Sequence, residues 1–165
     1  MDVVTLPGRV REMFDGSPLI GTVEQAFVFA TVDSTGFPHF ALLSRHDIVL
    51  GNDDAVLHVV LSVGTSSANL LRDERAAVLL VDGDQVHHLK LKLQRSLVDR
   101  DAVGAVLVLT DHRATSRGIR LSPLQFVPDE TFKTRDGWDR TNDVMDRLRG
   151  AAPGEPHHRD AGMTR

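Results

Sequence analysis

The chain has 165 residues, a formal net charge of -4 and no cysteine; 41% of its residues are hydrophobic and 25% charged. That length fits one domain with a real core, and the acidic balance excludes a broad nucleic-acid surface, which needs a basic stripe. Zero cysteines exclude disulfides, thiolate metal sites and a cysteine nucleophile, no run approaches the roughly 18–20 apolar residues of a membrane helix, and the N-terminal residues lack a signal-peptide layout, so a cytoplasmic setting is expected.

Pro7 to Phe14 can form one or two helical turns, which Gly16 and Pro18 end. "QAFVFATVD" (Gln25 to Asp33) reads as a first strand. Ser34-Thr35-Gly36 then turns the chain into "FPHFALLSRHDIVL", and the turn at Gly51 to Asp54 leads into "AVLHVVLSV". "SSANLLRDER" interrupts this meander with two to three turns of helix, and "AAVLLVD" resumes it as a fourth strand. The fifth strand, "HLKLKLQRSLV", sets Leu89, Leu91 and Leu93 against His88, Lys90, Lys92 and Gln94, a period of two with one polar face. "DAVGAVLVLT" does not show its period and stays open between helix and strand. "GIRLSPLQFVPD" reads as a closing strand, with Pro123 at an edge or bulge, and "DGWDRTNDVMDRLRG" as a C-terminal helix. From Ala151 the Pro-, Gly- and charge-rich tail, 151–165, is expected to be disordered. The fold class is therefore mainly β (α+β): a six-stranded antiparallel barrel with short peripheral helices over residues 1–150, closed or nearly closed so that its edges are hidden.

One short stretch carries chemistry. In "GTSSANLL", Thr65, Ser66 and Ser67 line up where a helix begins. Such hydroxyls cap helices. They also add donors to a place where unsatisfied N–H groups and the helix dipole already favour an anion. Local sequence leaves both readings open.

The order of elements around that turn resembles the flavin-binding split barrels related to pyridoxamine 5'-phosphate oxidase. "FATVDSTGFPHFALLS" is similar to the family's first hairpin, with its Gly-x-Pro turn at Gly36 and Pro38. "GTSSANLLRDERAAVLLVD" is similar to its phosphate turn, helix and next strand, and "HHLKLKLQRSL" to the strand after that. The likeness spans Leu6 to Phe126 and lies in order and spacing, not in one specific motif. It implies a split barrel that binds flavin mononucleotide (FMN), as an oxidoreductase acting on a small molecule. Thr65, Ser66 and Ser67 would hold the phosphate. Ala41, Leu42, Leu43 and Ser44 of the second strand would face the flavin ring, with Leu61 and Ser62 close by, and the cofactor would sit at the interface of a homodimer.

The chain departs from the family where the phosphate is gripped. Basic residues common after the first hydroxyl are replaced by Ser66 and Ser67, another arginine by Ala41, and a further basic residue by His46. Arg45, Arg72, Lys90 or Lys92 are the candidate substitutes, Lys90 being taken as a cofactor contact. The alternative reading is the same fold with weak or lost FMN binding, using a deazaflavin coenzyme or haem, or acting as a non-catalytic ligand-binding protein; a third is an unrelated small barrel with an ordinary helix cap. Of the eight histidines, His157 and His158 lie in the tail, His58 reads as a packed strand residue, and His87-His88 as a solvated pair. Trp138 reads as a staple for the C-terminal helix or a cover for a flavin face. No metal site, P-loop, zinc-protease helix or nucleophile elbow is present.

Overall fold

The computed structural model describes residues 4–16 and 21–150, so Pro18 and the tail from Ala151 lie outside the described residues. In chain order the elements are α1 (Gly8–Glu12), β1 (Glu24–Gln25), β2 (Phe27–Val32), β3 (Pro38–Leu43), β4 (Ile48–Leu50), β5 (Val56–Ser62), α2 (Thr65–Asp73), β6 (Arg75–Asp82), β7 (Gln85–Val98), β8 (Ala102–Ser116), β9 (Gln125–Phe126), α3 (Glu130–Arg135) and α4 (Trp138–Gly150).

Seven strands form one antiparallel sheet in the order β3-β2-β6-β7-β8-β5-β4. The two edge strands, β3 and β4, are consecutive in the chain and joined only by residues 44–47. That span reaches at most about 18 Å when fully extended. Seven strands laid flat would hold their edges about 29 Å apart. The sheet therefore curls until its edges approach, and the missing hydrogen bonds between them leave a split along the seam. Bulges between Lys90 and Leu91 and between Leu93 and Arg95 interrupt the long β7–β8 ladder.

Two expectations are corrected and one open reading is resolved. The sheet has seven strands and not six, because "FPHFALLSRHDIVL" breaks at Ser44–Asp47, where the Asp47 N–H donates to the Ser44 carbonyl at 3.0 Å. "DAVGAVLVLT", open between helix and strand, is strand from its second residue on, inside β8. "GIRLSPLQFVPD" contributes only β9, which pairs with β1 outside the main sheet.

The core explains why the apolar runs were hard to read. Inside the curl, Phe27, Phe29, Leu57, Leu80, Leu89 and Leu107 pack together, with Val10 and Phe14 joining them from α1 and the turn beyond it. On the other side of β5 and β8, Val60, Val106 and Ala102 pack against Val144, Met145 and Leu148 of α4. A strand buried on both faces needs no polar alternation. Gly104 lets α4 come this close: a Cβ there would stand 2.7 Å from Val144 Cγ1 and 3.1 Å from Leu148 Cδ1.

Candidate functional site

The split holds a cavity of about 300 Å³. Edge strand β3 contributes His39, Ala41, Leu42 and Leu43; the connector contributes Asp47; β5 and the turn after it contribute Val60 to Gly64; α2 opens with Thr65 and Ser66. From the far end of the chain come Asp136, Arg140 and Thr141. Three segments distant in sequence thus meet at the seam. Ser62, Val63, Gly64 and Thr65 are exposed, so the cavity opens to solvent on the side of the turn.

The hydroxyls of the turn divide between the two roles. Ser67 is buried, accepts from the Gly64 N–H at 2.9 Å and donates to the Gly64 carbonyl at 3.0 Å. It closes the turn from inside. Thr65 and Ser66 line the cavity, and neither hydroxyl has a hydrogen-bond partner among the described residues. They lie in the first turn of α2, whose leading N–H groups have no partner within the helix.

Of the ten residues expected to contact a cofactor, Ala41, Leu42, Leu43, Leu61, Ser62, Thr65 and Ser66 line this one cavity. Ser44 lies just behind it: its N–H and hydroxyl donate to Asp47 Oδ2 at 2.8 and 2.9 Å, and the hydroxyl accepts from the His46 N–H at 3.2 Å. Ser67 is spent on the turn. Lys90 stands elsewhere, exposed on β7 and 3.4 Å from Asp111.

The other candidate cations also lie away from the cavity. Arg45 pairs with Asp15 across to the end of α1 at 2.5 Å. Arg72 pairs with Asp73 and donates to Asn69 Oδ1 at 3.2 Å and to the Val32 carbonyl. Lys92 is exposed on the polar face of β7. The positive charge in the cavity is Arg140, which sequence reading missed because α4 begins more than seventy residues beyond Ser66, the nearest lining residue before the Asp136–Thr141 segment.

Asp47 is the group whose protonation the cavity changes most. Loss of water around it, then the neighbouring Asp136 carboxylate, push its carboxyl up to about 7, against the hydrogen bonds from Ser44 and the charge of Arg140. Asp136 accepts from Trp138 Nε1 at 3.0 Å. Trp138 is buried, stacks on His46 at 4.7 Å between ring centres, and its carbonyl lies 3.2 Å from His46 Nε2. It fastens α4 to the connector between the edge strands.

The histidine readings divide. His58 is buried between β5 and α4, as expected of a packed strand residue. His88 is exposed, but His87 is 2% exposed and not solvated: its Nδ1 lies 2.9 Å from His112 Nε2 with the rings stacked, because its side chain shares the inward face of β7 with Leu89. Burial holds both histidines below their ordinary pKa, with the charge of His112 adding to the effect on His87. Among the described residues no group of three or more metal-ligating side chains occurs, and no helix is long and apolar enough to cross a membrane.

No protein-family model matches the chain, and no curated protein matches it in sequence. Solved structures do match in fold. HupZ of Group A Streptococcus aligns at 13% identity over 71% of this chain and 99% of that one, with a TM-score of 0.52. Nitrilotriacetate monooxygenase component B of Mycobacterium thermoresistibile aligns at 11% identity over 70% of this chain and 79% of that one, with a TM-score of 0.51. At such identities the likeness is one of fold: a mainly β chain with a curled antiparallel sheet.

Proposed function

We propose that the cavity at the split holds a flavin-type cofactor, FMN in the first instance, and that the chain works as a homodimeric oxidoreductase on a small molecule. The observation that carries this reading is the convergence of β3, β5 and the start of α2 on one cavity. Those are the three segments that the resemblance to the split-barrel flavoproteins assigns to ring and phosphate. One of the solved structures described above as similar in fold is a monooxygenase component, which adds fold-level support.

The residues fit such a group. β3 pairs with β2 alone, so backbone N–H and C=O groups on its open side are available to polar atoms at the rim of a flat ring. Thr65 and Ser66 offer hydroxyls beside the unpaired N–H groups of α2, a donor set suited to a phosphate. A bound flavin supplies the hydride chemistry, and the protein holds and tunes it. Asp47, ionising near neutrality at the wall, can hold or release a proton there.

The volume argues for a second copy. About 300 Å³ is the lower end for small-molecule sites, so one subunit encloses part of a nucleotide-sized cofactor and a partner covers the rest. The face next to the cavity suits that partner. Val32, Phe40, Leu42 and Leu79 stand exposed on the outer side of β2, β3 and β6, where Val28 lies opposite both Leu42 and Leu79.

The reading is tested by the spectrum of the purified protein and by titration with FMN and riboflavin. Flavin absorbance near 450 nm, a property of flavins in general, supports it. So does saturable binding with about 2.7 kcal/mol of added stability at a hundredfold excess over Kd. A colourless protein that binds neither flavin overturns it. The alternative, a ligand-binding barrel without tight flavin binding, draws on two carboxylates, Asp47 and Asp136, lining a cavity whose turn lacks lysine and arginine.

A further inference from the structure

We infer that Arg140 is the cation of the anion site: from α4 it supplies the positive charge that the turn at Thr65 and Ser66 lacks, and it binds a phosphate monoester there. For the identity of the phosphate's carrier this rests on the cofactor reading above. For the anion itself it rests on four observations.

First, the other described arginines are either committed or solvated. Arg9, Arg11, Arg45, Arg72, Arg113, Arg147 and Arg149 each have a carboxylate partner, and Arg95 donates to the Leu148 carbonyl at 2.9 Å. Arg75, Arg100, Arg117, Arg120 and Arg135 are exposed. Arg140 has neither an ion pair nor a hydrogen bond among the described residues, yet its Nε is shut away from water. A buried N–H donor without an acceptor is costly, and a ligand oxygen entering the cavity removes that cost.

Second, the guanidinium has a built seat. Gly137 precedes α4 with φ of +66°, and a Cβ at that position would stand 3.2 Å from Arg140 Nη2 and 3.5 Å from its Cζ. The planar group therefore lies against bare glycine backbone, in a residue that lines the cavity.

Third, the turn that lines the same cavity carries donors and no carboxylate. Thr65 and Ser66 bring hydroxyls with no partner and helical N–H groups, and a guanidinium and a helix start together match an anion with several oxygens.

Fourth, one of the two carboxylates in the cavity is partly neutralised by burial. Asp47, raised to about 7, holds a proton part of the time near neutral pH, and the Asp136 carboxylate accepts the Trp138 N–H. Asp47 is the group that competes with an incoming anion for Arg140.

The test uses inorganic phosphate as the probe on the full chain, at constant ionic strength with chloride as the control salt. Thermal shift and calorimetry are read for wild type, Arg140→Met, Arg140→Lys and Asp47→Asn. The expected result is saturable phosphate binding that weakens at least tenfold in R140M, recovers in part in R140K and tightens in D47N. Riboflavin, which lacks the phosphate, should bind wild type and R140M alike, while FMN loses its advantage over riboflavin in R140M. An unchanged melting temperature of R140M without ligand shows that the fold is intact. The inference is overturned if phosphate binds R140M as it binds wild type, or if wild type shows no saturable phosphate binding. Failure of riboflavin and FMN to bind wild type overturns the cofactor reading instead, while the phosphate series still decides Arg140.

Discussion

At the scale of single residues, the turn at Gly64–Ser67 shows how one motif can be a cap and a ligand site at once. Ser67 Oγ holds both backbone groups of Gly64, whereas Thr65 and Ser66 line the cavity. Their substitutions should therefore separate. Ser67→Ala should cost about 1 kcal/mol, the usual loss of a cap, seen as a melting temperature lowered by about 3 °C for a chain of this size. Ser66→Ala should leave stability within about 0.5 kcal/mol and weaken FMN binding. Equal stability losses in both would show that the hydroxyls share one structural task. Asp47 gives the second residue-scale prediction. Its carboxyl is raised from 3.8 to about 7, so between those values the folded chain keeps a proton that the unfolded chain has released. Stability must then fall as pH rises through that window and level off above it. Urea midpoints at pH 5 and pH 8 should differ in wild type and converge in Asp47→Asn. If the variant keeps the full difference, another group sets the slope. The hydroxyl triplet was legible in the sequence because helix starts have a local signature; Arg140 was not, because nothing local says which arginine of an amphipathic helix will face a cavity formed by distant strands.

At the scale of elements, legibility followed the number of faces a strand buries. β7 alternates strictly from His88 to Lys92 because one face meets the core and the other meets water, and its period was plain. β8 buries both faces over Ala102 to Leu107, between the curl's interior and α4, so its run of small and branched residues carried no period. The break between β3 and β4 was hidden for a different reason. Residues 44–47 hold no glycine or proline, and the turn depends on hydrogen bonds between Ser44 and Asp47. The docking of α4 on β8 is the element-scale contact most open to test. A methyl group at Gly104 would meet Val144 and Leu148 inside normal contact distance, an overpacking worth about 1–3 kcal/mol. Gly104→Ala should lower the denaturation midpoint accordingly. Adding Val144→Ala should restore part of the loss, a coupling that a double-mutant cycle measures. Because α4 also carries Arg140 and Thr141 to the cavity, Gly104→Ala should weaken phosphate binding as well. Strict additivity of the two substitutions would mean that α4 does not rest on that glycine.

At the scale of the whole molecule, the curled sheet has two apolar outer flanks and one helix to cover them. β5 and β8 receive α4. β2, β3 and β6 receive nothing among the described residues on their outer side, although Phe40 is 62% exposed and Val32 and Leu42 are 48% exposed. Registered pairs make this a continuous surface: Ala30 lies opposite both Phe40 and Ala77, and Val28 opposite both Leu42 and Leu79. Contiguous exposed apolar strands mark interaction sites or aggregation hazards. A second copy laid on this flank would remove the hazard and add to the cavity wall at Leu42, which belongs to both. Sedimentation should then give twice the chain mass at micromolar concentration. Phe40→Asp combined with Leu79→Lys should give the single mass, with little change in the monomer's own stability because both side chains already face solvent. Flavin affinity should fall in that variant even though neither residue lines the cavity. A wild-type monomer across the concentration range would leave the flank without its partner. A monomeric variant that binds flavin as well as the wild type would mean that one subunit completes the site alone.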